Sequence, residues 1–133
     1  MRRRVLVMDD EVALAELIGF WLDSQGFDVV LAHEGEAAIR AYEEGRAQGN
    51  PFDVVLLDLI VPNGLGGQAT LQRLRALHPG VKAIVCSGYS HDPNMALHEA
   101  YGFDGIVPKP FNLAGLAEEI ERVISLPPHG SGR

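Results

Sequence analysis

The sequence Val54-Val-Leu-Leu-Asp58 places four consecutive apolar residues directly before a carboxylate. A short, continuous apolar run is typical of a β-strand that is covered on both faces of its sheet, because polar residues do not alternate with apolar ones. Four other runs have the same character, at residues 5–8, 29–32, 83–86 and 105–107. The sequence therefore predicts five buried strands.

The segments between these runs have the period of amphipathic helices. Three apolar stripes follow that period: Leu14, Leu17, Ile18, Trp21 and Leu22; Leu71, Leu74 and Leu77; and Leu113, Leu116, Ala117, Ile120, Val123 and Ile124. Weaker helical patterns lie at about residues 36–46 and 94–101. Strands that alternate with helices predict the α/β class, with a doubly wound, five-stranded parallel sheet and helices on both faces.

The run at residues 12–22 is nearly apolar, and long apolar runs can span membranes. It contains Glu16 and is far shorter than the roughly 20 residues that a bilayer span needs. We therefore interpret it as the buried face of a helix, with Trp21 in the core.

The composition limits the class of protein. The chain has 133 residues, a formal net charge of −7 and a single Cys. This length predicts one domain, at residues 1–126, followed by a flexible tail or linker stub at residues 127–133. One Cys excludes an intramolecular disulfide, so a cytoplasmic location is expected. The acidic balance disfavours binding to nucleic acid or to an anionic membrane.

Chemically active residues follow the predicted strands directly. Asp9 and Asp10 follow the first run, Asp58 the third, Ser87 the fourth, and Lys109 comes two residues after the fifth. Because open parallel sheets bind ligands at the carboxyl ends of their strands, we expect these side chains to converge at one edge.

A single Asp after a strand is often only a helix cap or a turn residue. Three carboxylates in one place are harder to explain in that way, because they repel one another unless a cation is present. Oxygen ligands without paired His or Cys favour Mg²⁺, and a nearby Lys can pair with a phosphoryl group. The pattern indicates an aspartate that accepts a phosphoryl group.

These residues resemble the receiver domains of two-component response regulators. The resemblance covers almost the whole chain, and four motif elements carry it: Val7-Met-Asp-Asp-Glu11, Asp58-Leu-Ile-Val-Pro62 with Gly66, Ser87-Gly88, and Lys109-Pro-Phe111. The stretches at residues 61–67 and 86–93 look most like receivers of hybrid histidine kinases. The resemblance implies a flavodoxin-like strand order of 2-1-3-4-5.

The resemblance also implies a role for each site residue. Asp58 would take the phosphoryl group from a phosphohistidine and form an acyl phosphate. Asp9, Asp10 and Asp58, with the carbonyl of Ile60, would hold Mg²⁺. Lys109 and Ser87 would contact the phosphoryl oxygens, and the Ser87 contact would switch the conformation.

The implied partners are a histidine kinase or a histidine phosphotransfer domain and, downstream, an effector protein. The effector would bind a surface that begins near Asn94 and ends at Ile124. The domain would not be an enzyme in the usual sense, although it would promote its own phosphotransfer and dephosphorylation.

Three positions depart from the pattern of many receivers or vary within it. Ile106 stands where many receivers have a switching Tyr or Phe, so that aromatic switch is not expected here. Ile60 and Tyr89 occupy positions that control the access of water to the phosphoryl group. We expect them to shield the acyl phosphate and to make it long-lived, unless Tyr89 points to solvent.

Two other functions fit part of this pattern. A phosphatase of the haloacid dehalogenase type also has a nucleophilic Asp after an apolar strand, but it needs a second Asp two positions later, where this chain has Ile60. A pseudo-receiver would bind partners without phosphorylation. It would be expected to have lost some of Asp10, Asp58 and Lys109, all of which are present.

Overall fold

The computed structural model describes residues 2–58, 66–87, 102–108 and 112–127, with Ser87 and Pro108 described by their backbone alone. Nine elements lie in these ranges: β1 (Arg4–Met8), α1 (Val12–Ser24), β2 (Asp28–Ala32), α2 (Gly35–Ala47), β3 (Val54–Asp58), α3 (Gly67–Leu77), β4 (Ala83–Ser87), β5 (Gly105–Pro108) and α4 (Leu113–Ile124). The predicted helix at residues 94–101 lies outside them. Within the same ranges, no helix has the length and apolar character that crossing a bilayer requires.

The strands form one parallel sheet in the order β2-β1-β3-β4-β5. This order confirms the predicted doubly wound fold. Each strand also begins and ends within one residue of its apolar run, because strands buried on both faces carry an uninterrupted apolar signal. β1 and β3 lie at the centre, and every residue of β3 is buried.

The core consists of two apolar layers, one on each face of the sheet. Residues of α2 and α3 pack on one face, and residues of α1 and α4 pack on the other. Since both faces are covered, polar groups of the central strands can reach solvent only at the strand ends. The carboxyl ends of β1 and β3 are therefore the natural place for a site.

The predicted burial of the helical stripes is wrong at two positions. These positions are Leu17 and Leu77, which are 54% and 57% exposed. Trp21, predicted to lie in the core, packs against the core but is only partly buried. In α1 the contact line follows Ile18 and Leu22, and one residue along a helix turns the side chain by about 100°. Leu17 therefore points away from the sheet although its spacing fits the stripe.

Candidate functional site

Asp9 and Asp58 end neighbouring central strands at the same level. The register pairs Met8 of β1 with Leu57 of β3, so the next residues, Asp9 and Asp58, follow side by side. Asp9 is 2% exposed and Asp58 is 6% exposed. Two acidic side chains are thus held in a largely buried position by the strand register.

Contacts with the segments before α1 and after β2 hold the backbone and the carboxylate of Asp9. Its N–H donates to the carbonyl of Ala32 over 3.0 Å, which extends the pairing of β1 with β2 by one residue. Its carboxylate accepts a hydrogen bond of 2.9 Å from the N–H of Glu11, just before α1 begins. Nδ1 of His33 lies 3.1 Å from the Asp9 carbonyl oxygen. Asp9 is therefore fixed both by the end of β2 with His33 and by the residue that precedes α1.

Asp10 completes an acidic cluster with these two residues. One carboxylate oxygen from each of Asp9, Asp10 and Asp58 lies within 4.8 Å of the others, and Asp10 is exposed. The N-terminus of α1 follows directly and offsets part of the negative charge. Like charges this close in a poorly solvated place favour a bound cation.

The donor set of the acidic cluster fits Mg²⁺. Carboxylate oxygens are hard ligands, and the exposed Asp10 leaves room for the waters that Mg²⁺ usually keeps. Asp9 and Asp10 come from the segment after β1, and Asp58 is the last residue of β3. This geometry suits an ion that is open to solvent on one side, where a phosphoryl group could approach.

The other predicted site residues are described only in part. Ser87 is the last residue of β4 and is in register with Pro108 of β5. Lys109 follows Pro108 directly in the chain, but Lys109 lies outside the described residues, as do Ile60 and Tyr89. The structure therefore brings together the three carboxylates and places the strand ends that precede Ser87 and Lys109 at adjacent positions.

His33 also lies at this site, although the sequence predicted no role for it. Its contact with Asp9 arises because β2 lies next to β1, so the residue that follows β2 meets the residue that follows β1. The signal that could have revealed it is its position directly after an apolar run, which it shares with Asp9.

Comparison with known proteins gives one consistent family. The sequence model of the response regulator receiver domain matches residues 5–121. The DNA-binding response regulator MtrA of Mycobacterium tuberculosis is 35% identical over 111 residues, which cover 84% of this chain and 46% of MtrA. The sensor kinase CckA of Brucella abortus is 32% identical over 123 residues, which cover 90% of this chain and 12% of CckA.

Solved structures agree with the sequence matches. The response regulator TrrA of Thermotoga maritima, crystallised in complex with Mg²⁺ and BeF, has a TM-score of 0.77 and 28% identity, and the match covers 91% of this chain and 98% of TrrA. The chain spans half or less of the length of the curated relatives MtrA and CckA. Those relatives therefore share this domain with the chain and also contain regions that it does not match.

Proposed function

This chain belongs to the response regulator receiver domain family, and from that premise we propose that Asp58 is its phosphoacceptor. The observation that carries the proposal is the acidic cluster, which sets three carboxylates within 4.8 Å of one another at the end of β3. Asp58 is the only one of the three that belongs to a strand, so its backbone is part of the sheet. Asp9 and Asp10 precede α1 and can complete a cation site beside it.

In the proposed reaction, a carboxylate oxygen of Asp58 attacks the phosphorus atom of a phosphohistidine. The new P–O bond forms as the P–N bond breaks, and the electron pair of that bond returns to the imidazole nitrogen, which takes a proton from solvent. A bound Mg²⁺ would supply positive charge that offsets the negative charge on the phosphoryl oxygens. Asp9, Asp10 and Asp58, with the carbonyl of Ile60, are the residues that would hold it.

Lys109 and Ser87 are proposed to act on the phosphoryl group itself. The Lys109 ammonium would pair with one phosphoryl oxygen and offset its charge. The Ser87 hydroxyl would donate to another oxygen once the group is attached, which would move the segment after β4. The pairing of Ser87 with Pro108 supports this assignment, because it puts the two strand ends next to each other.

A protein that carries phosphohistidine is the proposed donor, either a histidine kinase or a histidine phosphotransfer domain. The solvent side of α1, which begins three residues after Asp9, exposes Val12, Leu17 and Phe20 by 49%, 54% and 79%. Exposed apolar side chains on a helix that begins close to a reactive site are consistent with a docking surface. An effector is proposed to bind near α4. The proposed location of the protein is the cytoplasm.

Beryllofluoride, which mimics an attached phosphoryl group, tests the cation site and the acceptor together. At a fixed, saturating Mg²⁺ concentration, adding beryllofluoride should change the amide chemical shifts of the wild type further, and without Mg²⁺ it should not change them. Asp58→Asn should show no such change, whereas Asp53→Asn, which alters an exposed carboxylate just before β3, should respond as the wild type does. A pseudo-receiver would show no response in any of these proteins.

A further inference from the structure

Among the described residues β5 is an edge strand, with β4 on one side and no described strand on the other. In a parallel sheet such a strand turns the N–H and C=O groups of alternate residues away from its neighbour, and those groups need other partners. β5 has four residues and ends at Pro108, which has no N–H to donate. A strand this short, bonded on one side, is prone to local opening.

Two side chains of α4 bond the open edge of β5. Oε2 of Glu119 accepts a hydrogen bond of 3.0 Å from the N–H of Ile106. Nη2 of Arg122 donates a hydrogen bond of 2.7 Å to the carbonyl of Asp104. The two side chains also bond each other, at 2.8 and 2.9 Å. We call Glu119 and Arg122 the α4 bracket.

The α4 bracket bonds the same groups that a sixth strand would bond. One residue of a neighbouring parallel strand donates to the carbonyl before its partner residue and accepts from the N–H after it. Here the partner residue is Gly105, flanked by the carbonyl of Asp104 and the N–H of Ile106. The guanidinium of Arg122 and the carboxylate of Glu119 thus replace the N–H and C=O of one residue of such a strand.

Gly105 is needed for this arrangement because of space. A Cβ atom at Gly105 would lie 2.4 Å from Oε2 of Glu119 and 2.9 Å from Cγ2 of Val123. Any larger residue would push the carboxylate away from the Ile106 N–H. Gly105 in β5 therefore forms one structural unit with Glu119 and Arg122, which lie one turn apart in α4.

We propose that Glu119 is a positioning residue for phosphoryl acceptance. Together with Arg122 it holds β5 in place, and Lys109 follows the last residue of β5 directly in the chain, so the α4 bracket would fix the strand end from which Lys109 continues. This inference rests on the proposed function, since Lys109 acts on the phosphoryl group. Ile106, which stands where many receivers have an aromatic switch, is the residue whose N–H the bracket holds.

Amide hydrogen exchange tests the α4 bracket without any phosphodonor. Glu119→Ala removes the acceptor while keeping a good helix former, so the Ile106 amide should exchange about ten times faster, as expected for losing a hydrogen bond to a charged group. Arg122→Ala alters an exposed side chain and tests the bracket again without risk to the core. Glu118→Ala, at an exposed neighbouring position, is the control and should leave Ile106 unchanged.

The rate of phosphorylation by acetyl phosphate at saturating Mg²⁺ tests the positioning role. Glu119→Ala should lower this rate about five- to tenfold, and Gly105→Ala should act in the same direction, whereas Glu118→Ala should not. In a Lys109→Ala background, Glu119→Ala should have no further effect, because the bracket acts through the lysine. A general loss of structure would instead lower the rate by the same factor in both backgrounds.

Other results would overturn the inference in distinguishable ways. Unchanged exchange at Ile106 in both bracket variants would show that the bracket does not hold β5. Faster exchange with an unchanged phosphorylation rate would show that it holds β5 without positioning the reaction. No phosphorylation of the wild type would contradict the proposed function, and the exchange result would separately show whether the bracket exists.

Discussion

Asp9 and Asp58 stand next to each other at the ends of β1 and β3, and both carboxylates are almost completely buried, at 2% and 6% exposure. Asp10 adds a third carboxylate at the solvent side. Such an arrangement costs stability unless a cation neutralises it, and it is therefore better explained by function than by folding.

Removing one of these charges should stabilise the protein when no divalent cation is present. Asp9→Asn keeps the oxygen that accepts from Glu11 and removes the repulsion with Asp58, so we expect the free energy of unfolding to rise by about 1 kcal/mol. Denaturation in EDTA measures it. Glu16→Gln, at an exposed position on α1, is the control and should change stability little.

The same variant should lose its response to Mg²⁺. Millimolar Mg²⁺ should raise the melting temperature of the wild type by mass action and leave that of Asp9→Asn almost unchanged. A wild type that Mg²⁺ does not stabilise, or an Asp9→Asn protein less stable than wild type in EDTA, would argue against the cation site.

The Arg75 guanidinium ties α3 to the segments before β4 and β5. It donates to the carbonyls of Val81 and Gly102 and to the carboxylate of Asp104, whose side chain is 7% exposed. Burial lowers the pKa of Arg75, and the Asp104 carboxylate opposes that effect. The guanidinium nevertheless stays charged at neutral pH.

Arg75→Ala should therefore reduce the free energy of unfolding by about 3–5 kcal/mol. It removes the charged partner of the Asp104 carboxylate, which still accepts from the Ala83 N–H, and it removes a donor from the carbonyls of Val81 and Gly102. Chemical denaturation measures the loss. Arg40→Ala breaks an exposed pair with Glu34 and should cost less than about 1 kcal/mol. Equal losses in the two variants would show that the partly buried contacts of Arg75 add no more to the free energy of unfolding than an exposed ion pair does.

The two sides of α1 should respond differently to truncation. Leu22 is fully buried, so Leu22→Ala should cost about 2–5 kcal/mol. Phe20 is 79% exposed, so Phe20→Ala should stay within about 0.5 kcal/mol of the wild type. A large loss in Phe20→Ala would mean that α1 packs with a different face than the one seen here.

The phosphorylated form should be long-lived if Ile60 shields it from water. Ile60→Asn should shorten its lifetime several-fold, because a polar side chain would help water to reach the acyl phosphate. The lifetime is measured by intact mass after removal of the phosphodonor. Phe20→Ala is the control, because Phe20 is distant from Asp58 in the sequence. A short lifetime that does not change in Ile60→Asn would contradict the shielding role.

The sequence predicted the sheet well because its strands are buried on both faces. An unbroken run such as Val54-Val-Leu-Leu marks a central strand almost without reference to its surroundings, and the carboxylate that follows marks the site edge. The convergence of Asp9 with Asp58 then follows from the parallel topology alone.

Features that depend on the precise packing of helices were harder to predict. Leu17 fits the apolar period of α1 but faces solvent, because the period fixes relative angles and not which side meets the sheet. The α4 bracket needs Gly105 and Glu119 to meet in space, and no local pattern links positions 14 residues apart in a strand and a helix. His33 was missed for a different reason, because its contact with Asp9 follows from the adjacent positions of β1 and β2, and the residue after β2 was not considered.

The most direct test of the central claim is the intact mass of the protein after incubation with acetyl phosphate. The wild type should gain the mass of one phosphoryl group when Mg²⁺ is present and none when Mg²⁺ is removed. Asp58→Asn should gain none, and Asp53→Asn should gain the same mass as the wild type. No gain in the wild type, or an equal gain in Asp58→Asn, would contradict the assignment of Asp58 as the phosphoacceptor.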